Sequence, residues 1–218
     1  MTTPFPRSGL YVITADRGAG DPLDQAVIKA IRGGATVVQY RRKPGSDRER
    51  EADALLRICR NYNVPLLVND DVGLACRIGA DGVHLGKDDC SLTEARTRLG
   101  PAAIIGVSCY DSVEAALAAA QEGANYVAFG RFFPSRTKPQ APLAHVETLT
   151  EARRLLSLPI AAIGGITPEN GARLLEAGAD LLAVIDAVFG KPDPEEAANA
   201  FRILFALFQT RRRNRQHP

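Results

Sequence analysis

Four times in this 218-residue chain a Gly-Ala pair launches a short apolar run, and these four pairs divide it into frames. They start at Gly34, Gly79, Gly123 and Gly178, roughly one every 45 to 55 residues, as a repeated structural unit would. Each pair follows a helix-like stretch and leads into a short apolar run. Glycine adopts the left-handed conformation that ends a helix, and the small pair permits a tight entry into a strand. Each run then ends in polar residues: Gln39, Arg41 and Lys43; Asp88 and Asp89; Ser135, Thr137 and Lys138; and Asp186. Positions just past the carboxyl ends of strands are where parallel α/β folds build their ligand sites.

Eight apolar runs read as strands: Leu10–Ile13, Thr36–Tyr40, Pro65–Val68, Gly82–Leu85, Ala103–Val107, Tyr126–Phe129, Pro159–Ile163 and Leu181–Ile185. Several are almost continuously hydrophobic, as strands covered on both faces should be. Helical spacing marks Asp21–Arg32, Asp47–Tyr62, Ser112–Gln121 with Asp111 as its N-cap, a helix opened by Thr167-Pro168-Glu169, and Asp193–Phe208. Eight β-then-α units of about 27 residues predict a single (β/α)₈ TIM barrel over residues 1–210. An open doubly wound sheet is the runner-up, but it does not explain polar ends after so many different strands.

Composition narrows the function class. A 45% apolar content supplies one full core, and a net charge of +2 gives no reason to expect nucleic acid or a membrane surface as partner. No apolar run reaches the roughly 18 residues of a membrane span, and the N-terminus lacks a secretory pattern. The four cysteines show no Cys-x-x-Cys spacing and there are three histidines, so reduced thiols in a cytoplasmic protein are expected rather than disulfides or zinc. The arginine-rich residues 211–218 read as a solvated, disordered tail. Oligomeric state leaves no signal.

The strand ends carry the chemistry. On an extended segment Gln39, Arg41 and Lys43 share a face and suit a polyanion. After strands three and four come Asn69-Asp70-Asp71 and Gly86-Lys87-Asp88-Asp89. Asp71 and Asp88 have an ordinary use as helix caps, which leaves Asp70 and Asp89 as the ligands of choice for Mg²⁺. Ser108 follows strand five without a Gly-x-Ser-x-Gly elbow or an evident histidine partner, which argues against a hydrolase triad. The long segment after strand six holds Arg131, Ser135, Arg136, Thr137 and Lys138, suited to phosphate. Gly164-Gly165 precede a helix N-terminus and allow close backbone approach to a phosphate. Arg41, Lys43, Lys138 and Mg²⁺, set against two carboxylates, leave about three positive charges to meet a diphosphate ester. Two anion sites and one metal point to two phosphorylated substrates, one of which loses diphosphate.

The stretches Val38-Gln39-Tyr40-Arg41-Arg42-Lys43, Leu67-Val68-Asn69-Asp70, Gly79–Gly86, Ile105-Gly106-Val107-Ser108, Phe133-Pro134-Ser135-Arg136-Thr137-Lys138 and Ala162-Ile163-Gly164-Gly165-Ile166 together resemble the thiamine phosphate synthase family from about Leu10 to Phe205. That resemblance implies a (β/α)₈ barrel that joins a hydroxymethylpyrimidine diphosphate to a thiazole phosphate. It assigns Gln39, Arg41, Lys43 and Asn69 to the pyrimidine diphosphate and Asp70 and Asp89 to Mg²⁺. It places Ser108 and Lys138 on the pyrimidine substrate. Ser135, Thr137 and Gly165 fall on the thiazole phosphate, with Ile185 and Asp186 nearby. Arg41, Lys43, Lys138 and Ser108 form its catalytic set. Lys87, Arg42, Asp71, Tyr110 and Asp186 depart from the usual family residues, and an acid at 186 would repel phosphate unless turned away. The alternatives are a thiazole tautomerase sharing the barrel and a non-catalytic thiamine phosphate-binding barrel.

Overall fold

In the computed structural model, which describes residues 3–15, 22–42, 47–135 and 142–216, eight parallel strands close into a barrel in sequence order. The strands are β1 (Gly9–Ile13), β2 (Ala35–Tyr40), β3 (Leu66–Asn69), β4 (Gly82–Leu85), β5 (Ile104–Tyr110), β6 (Tyr126–Gly130), β7 (Ile160–Ile163) and β8 (Leu181–Val184). They alternate with α1 (Leu23–Gly33), α2 (Arg48–Asn61), α3 (Val72–Ile78), α4 (Leu92–Leu99), α5 (Val113–Gln121), α6 (Val146–Leu155) and α7 (Pro168–Glu176). A short α8 (Asp186–Phe189) and a long α9 (Pro194–Gln216) follow β8. The predicted barrel is the observed one, and the open sheet is excluded by the pairing of β1 with β8.

The Gly-Ala pairs sit at the entries to β2, β4, β6 and β8, and all four glycines have positive φ. The residue after three of these pairs explains the repeat further. Asp81, Asn125 and Asp180 each send a side-chain oxygen back to the start of the preceding strand, accepting from Leu66 N–H at 2.9 Å, Ile105 N–H at 2.8 Å and Ile160 N–H at 2.8 Å. Their own N–H groups donate to the carbonyls of Leu66, Ile105 and Ile160. In these three repeats the pair is therefore followed by a brace that ties β4, β6 and β8 each to the odd strand before it. Asn125→Ala strands the buried Ile105 N–H, and a loss of about 1–3 kcal/mol is expected. Thermal unfolding should report it as a fall of several degrees, whereas Asn125→Asp, which restores the residue type found in the sister repeats, should recover most of the loss.

Two apolar layers hold the barrel. An outer layer packs strands against helices through residues such as Val38, Leu55, Val68, Leu149 and Phe201. An inner cluster fills the lower barrel with Tyr11, Val37, Leu67, Ile104, Tyr126 and Leu181, plugged from below by Phe5. On β6, β7 and β8 the inner positions are the small residues Ala128, Ala161 and Ala183, which leave space open toward the strands' carboxyl ends.

Some local expectations need correction. Asp111 does not cap α5; Ser112 does, accepting from Ala115 N–H at 3.1 Å. Asp111 instead serves α6, accepting from His145 N–H at 2.9 Å and Thr148 Oγ1 at 2.6 Å, because β5 runs on to Tyr110 and carries Asp111 across to that helix. Asp71 caps α3 as expected, but the α4 cap is Ser91 and not Asp88. The predicted tail is helical through residue 216, since α9 continues past Phe208 as one unbroken helix.

Candidate active site

A cavity of about 500 Å³ opens at the carboxyl ends of the strands. Because the strands follow one another around the barrel, its two sides come from different halves of the chain. One side is Gln39, Arg41, Asn69, Asp70 and Gly86, from β2 to β4. The other is Ser135, Gly164, Gly165, Ile185, Asp186 and Lys191, from β6 to β8. The three alanines of β6, β7 and β8 lie between these sides and the floor.

Arg41 leaves the end of β2 with its backbone clamped twice by the buried Thr14. Thr14 Oγ1 donates to Arg41 C=O at 2.9 Å and accepts Arg41 N–H at 2.8 Å. Asp70 follows β3 with φ +64, a left-handed conformation that Asp and Asn tolerate better than most residues. Asn69 Nδ2 donates to its carboxylate. Asp89 is not itself in the cavity wall; its Oδ2 accepts from the N–H of Gly86, which is, at 2.6 Å. A one- or two-carboxylate set of this kind fits Mg²⁺, which keeps waters and takes further oxygens from a phosphate.

On the opposite side the two glycines have φ +104 and +63. A Cβ at Gly164 would lie 2.2 Å from Arg131 Cβ, and one at Gly165 would lie 2.3 Å from Pro134 C=O. Glycine is thus needed for the β7 segment to lie against the β6 segment, which Phe132 N–H to Ile163 C=O and Phe133 N–H to Gly164 C=O hold together at 3.1 and 3.0 Å. Asn170 ties down the same turn, donating to Gly165 C=O at 3.0 Å and accepting Thr167 N–H at 2.9 Å. At the start of α6 a latch forms where His145 Nδ1 lies 2.7 Å from the carboxylate of Asp111, which follows β5. The bond to Asp111 raises the His145 pKa above 6.5. Burial alone would raise Asp111, but hydrogen bonds from Thr148 and His145 outweigh it and hold the acid below 3.8. The latch is therefore complete between roughly pH 4 and 6.5. It weakens as pH rises through the His145 value or falls through that of Asp111. NMR titration should place His145 above 6.5 and Asp111→Asn should return it to its ordinary value; an unshifted wild-type histidine would count against the latch.

The floor holds a hydrogen-bonded chain that sequence reasoning missed. Gln39 Nε2 donates to Tyr11 OH at 2.7 Å, Tyr11 OH meets Tyr126 OH at 2.8 Å, and Tyr126 OH meets His84 Nδ1 at 2.8 Å. His84 Nε2 meets Ser108 Oγ at 2.8 Å. Ser108 thus has the histidine partner that was not evident in the sequence. Adjacent barrel strands supply the two residues, and they lie far apart along the chain. No triad results, because a tyrosine rather than a carboxylate occupies the other ring nitrogen. Burial pushes both phenols well above their ordinary range, so they keep their protons near neutral pH.

Against this geometry the comparisons fall into line. A family model described as thiamine monophosphate synthase matches residues 10–188. The chain belongs to the thiamine monophosphate synthase family. A thiamine-phosphate synthase of Methylococcus capsulatus is 55% identical over 217 residues, covering 99% of this chain and 96% of its own length. One of Thiobacillus denitrificans is 50% identical over 204 residues, covering 93% and 96%. Among solved structures, thiamine phosphate pyrophosphorylase from Pyrococcus furiosus is similar with a TM-score of 0.84 and 35% identity, covering 93% of this chain and 97% of that one. An orotidine 5'-phosphate decarboxylase from Pyrococcus horikoshii, 16% identical with a TM-score of 0.63, shares the barrel alone.

For a chain of this family, the cavity gathers Gln39, Arg41, Asn69, Asp70, Ser108, Ser135, Gly165, Ile185 and Asp186 as the sequence placed them. Lys43, Thr137 and Lys138 lie outside the described residues. Tyr11, His84 and Lys191 are additions. Lys191 follows α8 and faces the same end as Asp186, so that acid is accompanied by a cation. Arg42 and Asp71, two departures from the family pattern, pair with Glu51 and Arg48 at 3.2 and 3.3 Å and belong to the rim's ion pairs. Tyr110, another departure, stands at the cavity mouth with φ +55.

Proposed function

We propose that the chain condenses 4-amino-2-methyl-5-hydroxymethylpyrimidine diphosphate with a thiazole phosphate, giving thiamine phosphate and diphosphate. The observation that carries this reading is a single cavity with two opposed polar sides, one cationic and acidic from β2–β4 and one glycine- and hydroxyl-bearing from β6–β8. Two phosphorylated ligands can enter from opposite sides with their reacting ends meeting over the small-residue wall.

The reaction needs one bond broken and one made. The C–O bond between the pyrimidine methylene and the diphosphate breaks, and its electron pair leaves with the diphosphate. Arg41, with Lys43 and Lys138, stabilises the charge that builds on those oxygens. Asp70 and Asp89 would hold Mg²⁺, which supplies further neutralisation of the diphosphate. The amino group of the ring supports the methylene cation by electron donation. The thiazole nitrogen then donates its lone pair to that carbon. No protein nucleophile or general base takes part, which agrees with a His84 ring whose nitrogens meet the Tyr126 and Ser108 hydroxyls. The apolar wall of Ala128, Ala161 and Ala183 keeps water from capturing the cation first. Ser135, Thr137 and Gly165 bind the thiazole phosphate, and Ile185 and Asp186 border it.

The site of action is the cytoplasm, where the four free thiols stay reduced. The Cys59 and Cys109 thiols are pushed up to about 12 by burial, which keeps them inert. Among the described residues no helix is long and apolar enough to cross a membrane. Diphosphate release, followed with each substrate omitted in turn and with Mg²⁺ or a chelator, tests the reading. Release that requires both substrates and the metal supports it; release from neither condition, or tautomerisation of the thiazole alone, overturns it.

A further inference from the structure

The floor chain has a direction that follows from counting protons. Tyr11 OH accepts the Gln39 amide N–H, so its own proton requires another acceptor, and among the described residues the other polar partner of that hydroxyl is Tyr126. Tyr126 must then pass its proton to His84 Nδ1. His84 carries its ring proton on Nε2 and donates to Ser108 Oγ. The Ser108 proton is left to point into the cavity that Ser108 lines, while Gln39, with one of its two amide N–H bonds given to Tyr11, offers Oε1 as an acceptor. A doubly protonated His84 would break the count, because Tyr11 would receive two protons and have nowhere to place its own. Reversing every bond swaps the two ends together. The Ser108 proton faces the cavity in the first sense and is spent on His84 in the reversed one.

The fold invests in this chain. Tyr126 is wholly buried, and its ring stacks on Phe5 at 4.3 Å between centroids. Gly106 on β5 makes room for it, since a Cβ there would lie 2.0 Å from Tyr126 Cζ. Its five members come from β1, β2, β4, β5 and β6.

We propose that Tyr11, Tyr126 and His84 are positioning residues that fix the hydrogen-bonding sense of the cavity floor, with Gln39 as acceptor and Ser108 as donor, matched to the amino group and a ring nitrogen of an aminopyrimidine. The inference rests on the pyrimidine reading above and deepens it. A ligand with no acceptor for the Ser108 proton or no donor for Gln39 Oε1 leaves that buried group unmet, at a cost of about ten- to a hundredfold in affinity.

The ¹⁵N spectrum of the free protein tests the direction. With three histidines in the chain, His84 is assigned by its loss in His84→Gln. A proton on Nε2 with a bare Nδ1 is expected; an Nδ1–H ring or an imidazolium overturns the proposal. Tyr126→Phe then cuts the chain at its middle. The His84 signals should shift and KM for the pyrimidine diphosphate should rise about tenfold, while KM for the thiazole phosphate stays within about twofold. Unchanged signals and an unchanged pyrimidine KM would overturn it as well. If Tyr126→Phe does not fold, Tyr11→Phe cuts the same chain one bond nearer Gln39 and carries the same expectations. The tautomer is read without substrate. A wild-type protein that releases no diphosphate would therefore sink the pyrimidine reading while the direction of the chain stood or fell separately.

Discussion

Arg41→Ala is expected to lower kcat/KM for diphosphate release by about 100- to 1000-fold while barely moving the melting temperature. Two features of the site set that size. The backbone of Arg41 is held by Thr14 through both its N–H and its C=O, so the side chain projects from a fixed point at the end of β2. Among the described residues no carboxylate pairs with its guanidinium, so the fork is free for phosphate oxygens. In the proposed reaction, charge that develops on a leaving diphosphate would be met by groups already in place, and removing one such donor would cost about 3–4 kcal/mol of transition-state stabilisation. Little of the fold depends on the side chain, which lies at the cavity rim. Arg41→Lys should recover only part of the rate, because a point charge replaces a planar fork. A rate within about threefold of wild type for Arg41→Ala, or a fall in melting temperature that accounts for the lost rate, would remove Arg41 from the machinery. Thr14→Val supplies a contrast. It keeps the guanidinium and unfastens its backbone, so it should cost both rate and stability.

The barrel was legible because its signals are local and repeated. Glycines that end helices, apolar runs covered on both faces and polar residues just past them recur every unit, and the observed strands differ from the predicted ones by a few residues at their ends. The cavity residues from β2, β3, β6 and β7 were legible for the same reason, since each lies at or shortly past the carboxyl end of its strand. What stayed hidden depends on contacts across the barrel. His84 sits inside an apolar run, Val83-His84-Leu85, and reads there as an ordinary core position. Only the register of β4 against β5, His84 beside Gly106, brings it to Ser108 two residues on. Tyr11 and Tyr126 read as strand aromatics, and nothing along the chain says that their hydroxyls meet. Asp111 was misassigned for a related reason. Its position before a helix suggested a local cap, whereas its partners are at His145 and Thr148. Spacing reports what a residue can do for its neighbours in sequence, and the closed barrel decides which neighbours it has in space.

Asp70→Asn offers the sharpest separation of charge from backbone. Asp70 holds φ +64, a conformation in which asparagine is as well accommodated as aspartate, so the substitution removes the carboxylate without asking the turn after β3 to move. Alanine at this position would confound the two effects. Asp70 lines the cavity beside Asn69, on the same side as Arg41. If it holds Mg²⁺ against the diphosphate, losing its charge should lower turnover by about 100-fold or more and raise the Mg²⁺ concentration needed for half-maximal rate. The melting temperature without metal should stay within about 1 °C of wild type, since no strand or helix is capped by this side chain. Asp89→Asn should behave differently in degree. Its Oδ2 is occupied by the Gly86 N–H, a bond that the amide oxygen of asparagine can keep, so the loss there reports the remaining oxygen alone. A normal rate and an unaltered Mg²⁺ requirement in Asp70→Asn would show that the metal, if used, is held elsewhere. The cationic groups of the β2 end would then have to carry the leaving diphosphate by themselves.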